Sequence, residues 1–202
     1  MPRPRFLFAH GAGAPSSSPW MKRWRGHLAT IGDVTTFDYP YMRAHRKAPD
    51  RMPTLVQAHR EALADVRAHG RGPIVLIGKS MGSRVGCHVS LEEPVDALVC
   101  IGYPLVSGTS GALRDEVLVA LKTPILFVQG THDSLCPLAK LADVRERMTA
   151  PNALHIVQDT NHSLELPKVK YTRALQEDLE LTAVEAIRRF VDDLKRIHEG
   201  GV

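Results

Sequence analysis

Short runs of apolar residues alternate along the chain with longer segments whose apolar residues recur every three or four positions. The runs are five to seven residues long, rich in β-branched and aromatic residues, and typical of buried β-strands. The predicted strands are residues 5–9, 34–39, 73–78, 97–103, 124–130 and 153–157.

The segments between these runs carry helical signals. Ser18 is a typical N-cap, and Trp20 and Trp24, four residues apart, are predicted to pack one face of the first helix on a sheet. Thr182 and Glu185 have the spacing of a capping box, which predicts the start of the last helix there. The predicted helices are residues 18–32, 53–70, a helix from Met81, 138–148 and this last helix with its apolar face of Val184, Ile187, Val191 and Leu194.

Strands that alternate with helices and are apolar throughout predict an α/β fold, with a mostly parallel sheet between two layers of helices. A chain of 202 residues is predicted to form one domain over residues 1–202. In such a sheet, ligands bind beyond the carboxyl ends of the strands. Polar residues that directly follow a strand are therefore the first candidates for a functional site.

The sequence GKSMG at residues 78–82 lies between a predicted strand and a predicted helix. G-x-S-x-G in this context is typical of a nucleophile elbow, a sharp turn that exposes the serine hydroxyl. Side chains at Gly78 and Gly82 are expected to collide with neighbouring backbone. The helix after Ser80 directs its positive end and its free N–H groups at the turn. Ser80 is therefore the candidate nucleophile.

A serine hydroxyl needs a base, and the base needs an acid that orients it, in the chain order serine, acid, histidine for this fold. Asp133 follows the predicted strand 124–130, and His162 follows the strand 153–157. We predict Asp133 as the acid and His162 as the base, with Asp159 as the competing acid. The less suitable histidines are His88 on the helix after Ser80, His132 beside the acid, His155 inside a strand and His198 near the end of the chain.

The glycine-rich segment HGAGAP follows the first strand and lets the backbone approach a ligand closely. The N–H groups of Ala12 and Met81 are the predicted donors of an oxyanion hole. His10 is interpreted as a structural hydrogen-bonding residue. The predicted substrate contacts, chosen because they also follow strand ends, are Gly11, Gly13 and Tyr103.

The sequences HGAGA, GKSMGS, GTHDSLCP and NHSL together resemble the α/β-hydrolase fold in its dienelactone-hydrolase-like group. More narrowly, they are similar to a small branch that includes the testis-expressed hydrolase-like proteins and a non-specific-lethal subunit of a chromatin-acetylation complex. The resemblance implies Ser80 as nucleophile, Asp133 as acid and His162 as base, in a serine hydrolase that cleaves an ester, thioester or amide. It also leaves a second hypothesis, a hydrolase fold that serves as a non-catalytic binding or scaffold module.

This chain is shorter than the larger members of that group. The first predicted strand already carries the oxyanion segment, so the antiparallel strands that usually precede it are expected to be missing. Residues 103–124 leave no room for a cap domain. We therefore expect a minimal fold with an open site.

Composition excludes several other classes. A net charge of +4 is too small to indicate specific nucleic-acid binding, and no apolar run reaches the ~18 residues that a membrane span needs. The N-terminal apolar stretch is too short for a signal peptide, and three widely spaced cysteines indicate reduced thiols, so a cytoplasmic location is expected. No cofactor and no metal site is predicted. The expected partner is a small-molecule acyl substrate, and the sequence leaves the oligomeric state open.

Two segments with many basic residues, 41–51 and 166–173, also follow strand ends or the candidate base. The first contains four basic residues against Asp50, and the second contains Lys168, Lys170 and Arg173. We interpret them first as solvated loops. The alternative is a basic rim that attracts an anionic substrate or partner, with Lys79 contributing.

Overall fold

The computed structural model describes residues 2–199 of the chain, with side chains described through residue 194. Its sheet has six strands in the order β2-β1-β3-β4-β5-β6, and all five pairings are parallel. The predicted α/β fold class is therefore confirmed. The strands are β1 (Arg5–Ala9), β2 (Asp33–Phe37), β3 (Ile74–Lys79), β4 (Ala97–Ile101), β5 (Ile125–Gly130) and β6 (Asn152–Val157).

Helices cover both faces of this sheet. The helices are α1 (Pro19–Ala29), α2 (Pro40–Arg43), α3 (Met52–Ala68), α4 (Met81–Ser90), α5 (Glu116–Ala120), α6 (Leu138–Arg147) and α7 (Arg173–Glu199). Apolar residues of α1 and α7 pack on one face, and those of α2 to α6 pack on the other. This arrangement is the predicted three-layer sandwich.

The central strands contribute side chains to both cores because successive residues of a strand point to opposite faces. In β1, Phe6 and Phe8 pack with α1 and α7, whereas Leu7 packs with the helices of the other face. All three side chains are fully buried. The continuous apolar run of β1 thus follows from burial on two sides.

The first helix begins as predicted, and the last one does not. Ser18 is the N-cap of α1 and accepts a hydrogen bond from the backbone N–H of Met21. The prediction that α7 begins at a capping box of Thr182 and Glu185 is wrong, because α7 begins at Arg173. Inside the helix, the hydroxyl of Thr182 instead donates to a backbone carbonyl one turn earlier, a common alternative for threonine.

The strand order reverses direction between β1 and β3, and ligand sites of open α/β sheets lie at such a point. Within residues 2–199, β1 is the first strand and all strand pairings of the sheet are parallel. Between β4 and β5 the chain forms only a bridge between Val106 and Leu113 and the short helix α5. Among the same residues, no helix combines the length and apolar composition that crossing a membrane requires.

Candidate active site

The serine turn, residues 78–82, joins β3 to α4 and places Ser80 in a backbone conformation that few non-glycine residues adopt. Ser80 has φ 51° and ψ −114°, a strain of roughly 1–3 kcal/mol that the surrounding structure must hold. A Cβ atom at Gly78 would lie 2.1 Å from the backbone nitrogen of Ser83, and one at Gly82 would lie 2.6 Å from the carbonyl oxygen of Ala9. The predicted steric need for both glycines is therefore confirmed.

Ser80 begins a continuous chain of hydrogen bonds through an imidazole to a carboxylate. Its Oγ lies 2.8 Å from Nε2 of His162, and Nδ1 of His162 lies 2.8 Å from Oδ2 of Asp133. An ionised carboxylate only accepts, so Nδ1 carries the proton and a neutral ring presents Nε2 as an acceptor to the serine hydroxyl. The sequence predicted that these three residues meet, and the structure brings them together.

Asp133, rather than Asp159, contacts the imidazole. Asp133 follows β5 and is buried, and its other oxygen accepts a hydrogen bond from the backbone N–H of Leu135 at 2.9 Å. The side chain of Asp159 is 46% exposed and forms an ion pair with Lys170 at 2.9 Å. The competing acid therefore has a different partner on the protein surface.

The segment after β1 is held against the serine turn by two side chains. Nδ1 of His10 donates to the carbonyl oxygen of Gly11 at 2.7 Å, while its Nε2 accepts from the backbone N–H of Tyr39. The hydroxyl of Tyr41 donates to the carbonyl oxygen of Ala12 at 2.9 Å. Burial lowers the pKa of His10, which favours the neutral ring that these two bonds require. The structural role predicted for His10 agrees with these contacts.

Because the carbonyl and the N–H of one trans peptide point in opposite directions, the carbonyl of Gly11 orients the N–H of Ala12. That carbonyl faces buried His10, so the N–H of Ala12 points away from the core. A Cβ atom at Gly11 would lie 3.5 Å from Cβ of Ser80, which places this segment beside the serine. Met81, the first residue of α4, has an N–H without an intrahelical partner.

The residues predicted to contact substrate differ in their surroundings. Gly11 lies beside Ser80, and a Cβ atom at Gly13 would meet nothing within 4 Å. Tyr103 is completely buried, and its hydroxyl donates to the carbonyl of Arg114 at 3.3 Å. Its phenol ring therefore packs in the core beneath the segment after β4, rather than lining an open site.

Lys79, directly before Ser80, is 8% exposed and does not extend into solvent as a surface lysine would. Its Nζ donates to the carbonyl oxygen of His162 and lies 5.6 Å from the centre of the Trp20 ring. Burial lowers the pKa of Lys79 to about 8, although the carboxylates of Asp133 and Glu165 oppose this shift. This burial disfavours the alternative in which Lys79 contributes to a basic rim.

Comparison with known protein families shows which family this chain belongs to. The sequence profile of a family described as an alpha/beta hydrolase domain matches residues 2–192. The chain belongs to this family.

Solved structures of proteins described as hydrolases have the same fold. A protein described as a hydrolase of the alpha/beta superfamily from Xanthomonas campestris is 22% identical, with a TM-score of 0.65 over 93% of this chain and 99% of that one. Dienelactone hydrolase from Anabaena variabilis is 21% identical, with a TM-score of 0.67 over 91% and 85% of the two chains. A serine hydrolase homologue from Coxiella burnetii is 18% identical, with a TM-score of 0.68 over 87% and 83%. At these identities the likeness is one of fold.

Several charges of the two basic segments are paired with carboxylates or line a cleft that does not include Ser80. Arg46 forms an ion pair with Asp50 at 2.5 Å, and Lys170 pairs with Asp159. Lys168 and Arg173 line a cleft of about 500 Å³ between α1 and α7, and neither Ser80 nor His162 lines it. These contacts favour the interpretation of solvated and locally paired loops.

Sequence reasoning did not predict the supports of this site. The sequence places Tyr41 in a basic segment and indicates only a packing role for Trp20. Gln176, on α7, was not singled out. No short motif marks such residues, because each lies far along the chain from the backbone group that it contacts. Tyr41 and Gln176 share one feature, a polar atom on an otherwise buried side chain, whereas Trp20 is only partly buried.

Proposed function

We propose that this chain is a serine hydrolase that cleaves an ester, thioester or amide through an acyl-enzyme. Ser80 is the nucleophile, His162 the general base and acid, and Asp133 the residue that orients His162. The observation that carries the proposal is the pair of 2.8 Å contacts that joins these three side chains, with Ser80 held in a strained turn. A fold without chemistry to perform has no need of either feature.

In the first half of the reaction, Nε2 of His162 accepts the hydroxyl proton of Ser80 as Oγ attacks the substrate carbonyl carbon. The N–H groups of Ala12 and Met81 donate to the oxyanion of the tetrahedral intermediate. His162 then gives the proton to the leaving alcohol, thiol or amine. The bond between the carbonyl carbon and the leaving group breaks, and the acyl group remains on Ser80.

In the second half, water takes the place of the leaving group. His162 accepts a proton from the water as its oxygen bonds to the acyl carbon. His162 then returns that proton to Oγ of Ser80, the bond between the acyl carbon and Oγ breaks, and the carboxylic acid leaves. The buried carboxylate of Asp133 stabilises the imidazolium that forms in each half. The positive end of α4 adds a favourable field at the oxyanion.

The fold supports an open site for this reaction. The segment between β4 and β5 contains α5 and one isolated bridge, so within residues 2–199 it supplies no cap domain. Bulky acyl groups are therefore compatible with the site. The narrower likeness to testis-expressed and chromatin-complex proteins names no substrate and stays a prediction.

Labelling with a fluorophosphonate tests the proposal, because this probe reacts only with an activated serine. We expect the wild-type protein to be labelled at Ser80 and the Ser80→Ala variant to remain unlabelled. Ser90→Ala is a matched control, since Ser90 lies at the other end of α4 and donates only to the carbonyl of Cys87. A wild-type protein that is neither labelled nor active on p-nitrophenyl esters of any chain length would favour the scaffold hypothesis.

A further inference from the structure

The histidine loop, residues 161–166, has no regular secondary structure, and side chains from other elements hold it in place. Three consecutive carbonyl groups of this loop each accept a hydrogen bond from a side chain of a different element. The donor and acceptor pairs are Lys79 Nζ with the carbonyl of His162, Trp20 Nε1 with that of Ser163 at 2.9 Å, and Gln176 Nε2 with that of Leu164 at 2.8 Å.

The three donors reach the loop from β3, α1 and α7 respectively, so they approach it from different directions. Gln176 also accepts a hydrogen bond from the backbone N–H of Leu166 at 3.0 Å. Asn161 adds contacts within the loop itself, where its side chain accepts from the N–H of Ser163. The bonds from Lys79, Trp20 and Gln176 therefore tie the backbone of the loop to three other elements, beside the ion pair of Arg23 with Glu165 at 3.7 Å and the contact of His162 with Asp133.

The loop needs such ties because its backbone is strained and closely packed. Leu164 has φ 56°, a left-handed conformation that costs roughly 1–3 kcal/mol for a residue of this kind. Gly102, after β4, also has positive φ, and a Cβ atom there would lie 2.3 Å from the carbonyl oxygen of His162. The same carbonyl is the acceptor of Lys79, so both contacts fix the backbone of the base itself.

Lys79 has a special position among the three donors, because it directly precedes Ser80. The end of β3 therefore holds the nucleophile through the main chain and the base through the side chain of Lys79. The groups that face its ammonium are the carboxylates of Asp133 and Glu165, the Trp20 ring and the His162 carbonyl. Burying this charge costs stability, as its lowered pKa indicates.

We propose that Lys79, Trp20 and Gln176 are positioning residues that hold His162 within hydrogen-bond reach of Ser80 through the carbonyl groups of the histidine loop. None of them touches the reacting atoms. This inference rests on the proposed function for its effect on rate, but the anchoring of the loop is a separate property that can be measured without turnover.

Two substitutions remove one donor each while keeping most of the packing. Lys79→Met deletes the ammonium, and Trp20→Phe deletes the indole N–H. We expect kcat on a p-nitrophenyl ester to fall about 10–100-fold in Lys79→Met and less in Trp20→Phe, because small misplacements of a base are costly in rate. KM should change little, since both side chains contact the backbone of the histidine loop and act on the rate through His162. Equal losses in kcat and in affinity would contradict a positioning role.

Each variant has a matched control. Trp24 lies one turn from Trp20 on α1 and stacks on it, but its indole N–H is buried without a partner. Trp24→Phe therefore makes the same chemical change without removing a hydrogen bond, and kcat should stay close to wild type. Lys122→Met removes a lysine that donates to the Thr149 hydroxyl on the exposed surface. An equal loss of kcat in Trp24→Phe and Trp20→Phe would overturn the assignment of Trp20.

Stability separates positioning from a merely structural role. Because Lys79→Met removes a buried charge, we expect its Tm to equal or exceed that of the wild type while kcat falls. If Lys79→Met lowered Tm and kcat together, the result would show that Lys79 only supports the fold. Trp20→Phe keeps the inference testable if Lys79→Met does not fold.

Hydrogen–deuterium exchange of the peptide covering residues 161–166 tests the anchoring directly. We expect faster exchange in Lys79→Met and Trp20→Phe than in wild type, and wild-type exchange in Trp24→Phe and Lys122→Met. Unchanged exchange in the first two variants would overturn the inference, whatever their activity. If the wild-type protein shows no serine reactivity, the proposed function fails, and exchange alone decides whether these residues anchor the loop.

Discussion

The serine turn and the histidine loop supply the two halves of one proposed catalytic unit, yet they are built differently. The serine turn is fixed mainly by its own backbone, with Gly78 and Gly82 packed against neighbouring main chain and the N–H of Ser80 donating to the carbonyl of Ile101 at 3.0 Å. The histidine loop is fixed by side chains that come from three other elements. Each region contains one residue with a strained backbone, Ser80 in the turn and Leu164 in the loop. The backbone around the turn holds Ser80 in place, whereas side chains from distant parts of the chain hold the loop.

This difference explains why a sequence motif predicts the serine turn, whereas no motif predicts what holds the histidine loop. A backbone turn that tolerates only glycine at fixed offsets leaves a short motif. A loop held by Lys79, Trp20 and Gln176 leaves no local pattern, because its supports are scattered along the chain. The substitutions that follow test how far the two regions differ, in order of expected effect.

The largest effect should come from the acid that orients the base. Asp133→Asn should lower kcat about 10⁴-fold without unfolding the protein, because an amide favours the wrong tautomer of His162. Asp159→Asn is the matched control, since that side chain pairs with Lys170 on the surface. The measurement is the rate of p-nitrophenyl ester hydrolysis, and a greater loss in Asp159→Asn would reverse the assignment of the acid.

The backbone construction of the serine turn predicts a large loss of stability when a single methyl group is added to it. Gly78→Ala should lower the free energy of unfolding by about 3 kcal/mol or more, because its Cβ would overlap the backbone of Ser83. Gly26→Ala on α1 meets nothing within 4 Å and should instead stabilise by about 0.5–1 kcal/mol. Urea unfolding measures both, and a near-neutral Gly78→Ala would refute the steric account.

A smaller, pH-dependent effect should come from Lys79. Its pKa in the folded protein is about 8, below the usual 10.5, so between these values the unfolded chain binds more protons than the folded one. The free energy of unfolding should therefore rise with pH in this window, by roughly 2 kcal/mol between pH 8 and 10 relative to Lys79→Met. The difference between the two proteins isolates Lys79 from the tyrosines and cysteines that titrate nearby. Parallel stability curves would contradict a buried ammonium.

The smallest effects should come from the basic segments. Lys170 is paired with Asp159, whereas Arg43 forms no side-chain ion pair or hydrogen bond within the described residues. Arg43→Ala should therefore lower kcat/KM for an acidic acyl ester more than Lys170→Ala does, by no more than about fivefold, with neither variant changing a neutral ester. Equal effects on acidic and neutral esters would show that both charges only solvate the surface.

The sequence by itself determined the α/β class, the existence of the six strands and the identity of Ser80, Asp133 and His162 as candidates. It could do so because a strand buried on both faces must be apolar, and because the serine turn excludes side chains at Gly78 and Gly82. It misplaced the start of α7, since Thr182 and Glu185 match a capping box that the helix does not use.

Only the tertiary structure decided what holds the base in place. Lys79 and Trp20 read as an ordinary charge and an ordinary packing residue until the fold brings them to the histidine loop. Likewise, Asp133 was separated from Asp159 by burial and a 2.8 Å contact, which neither residue's position in the chain reveals. Sequence motifs reflect constraints between residues that are close along the chain, such as the glycines of the serine turn. Contacts between distant elements depend on how the helices pack against the sheet, and that packing is a property of the whole fold.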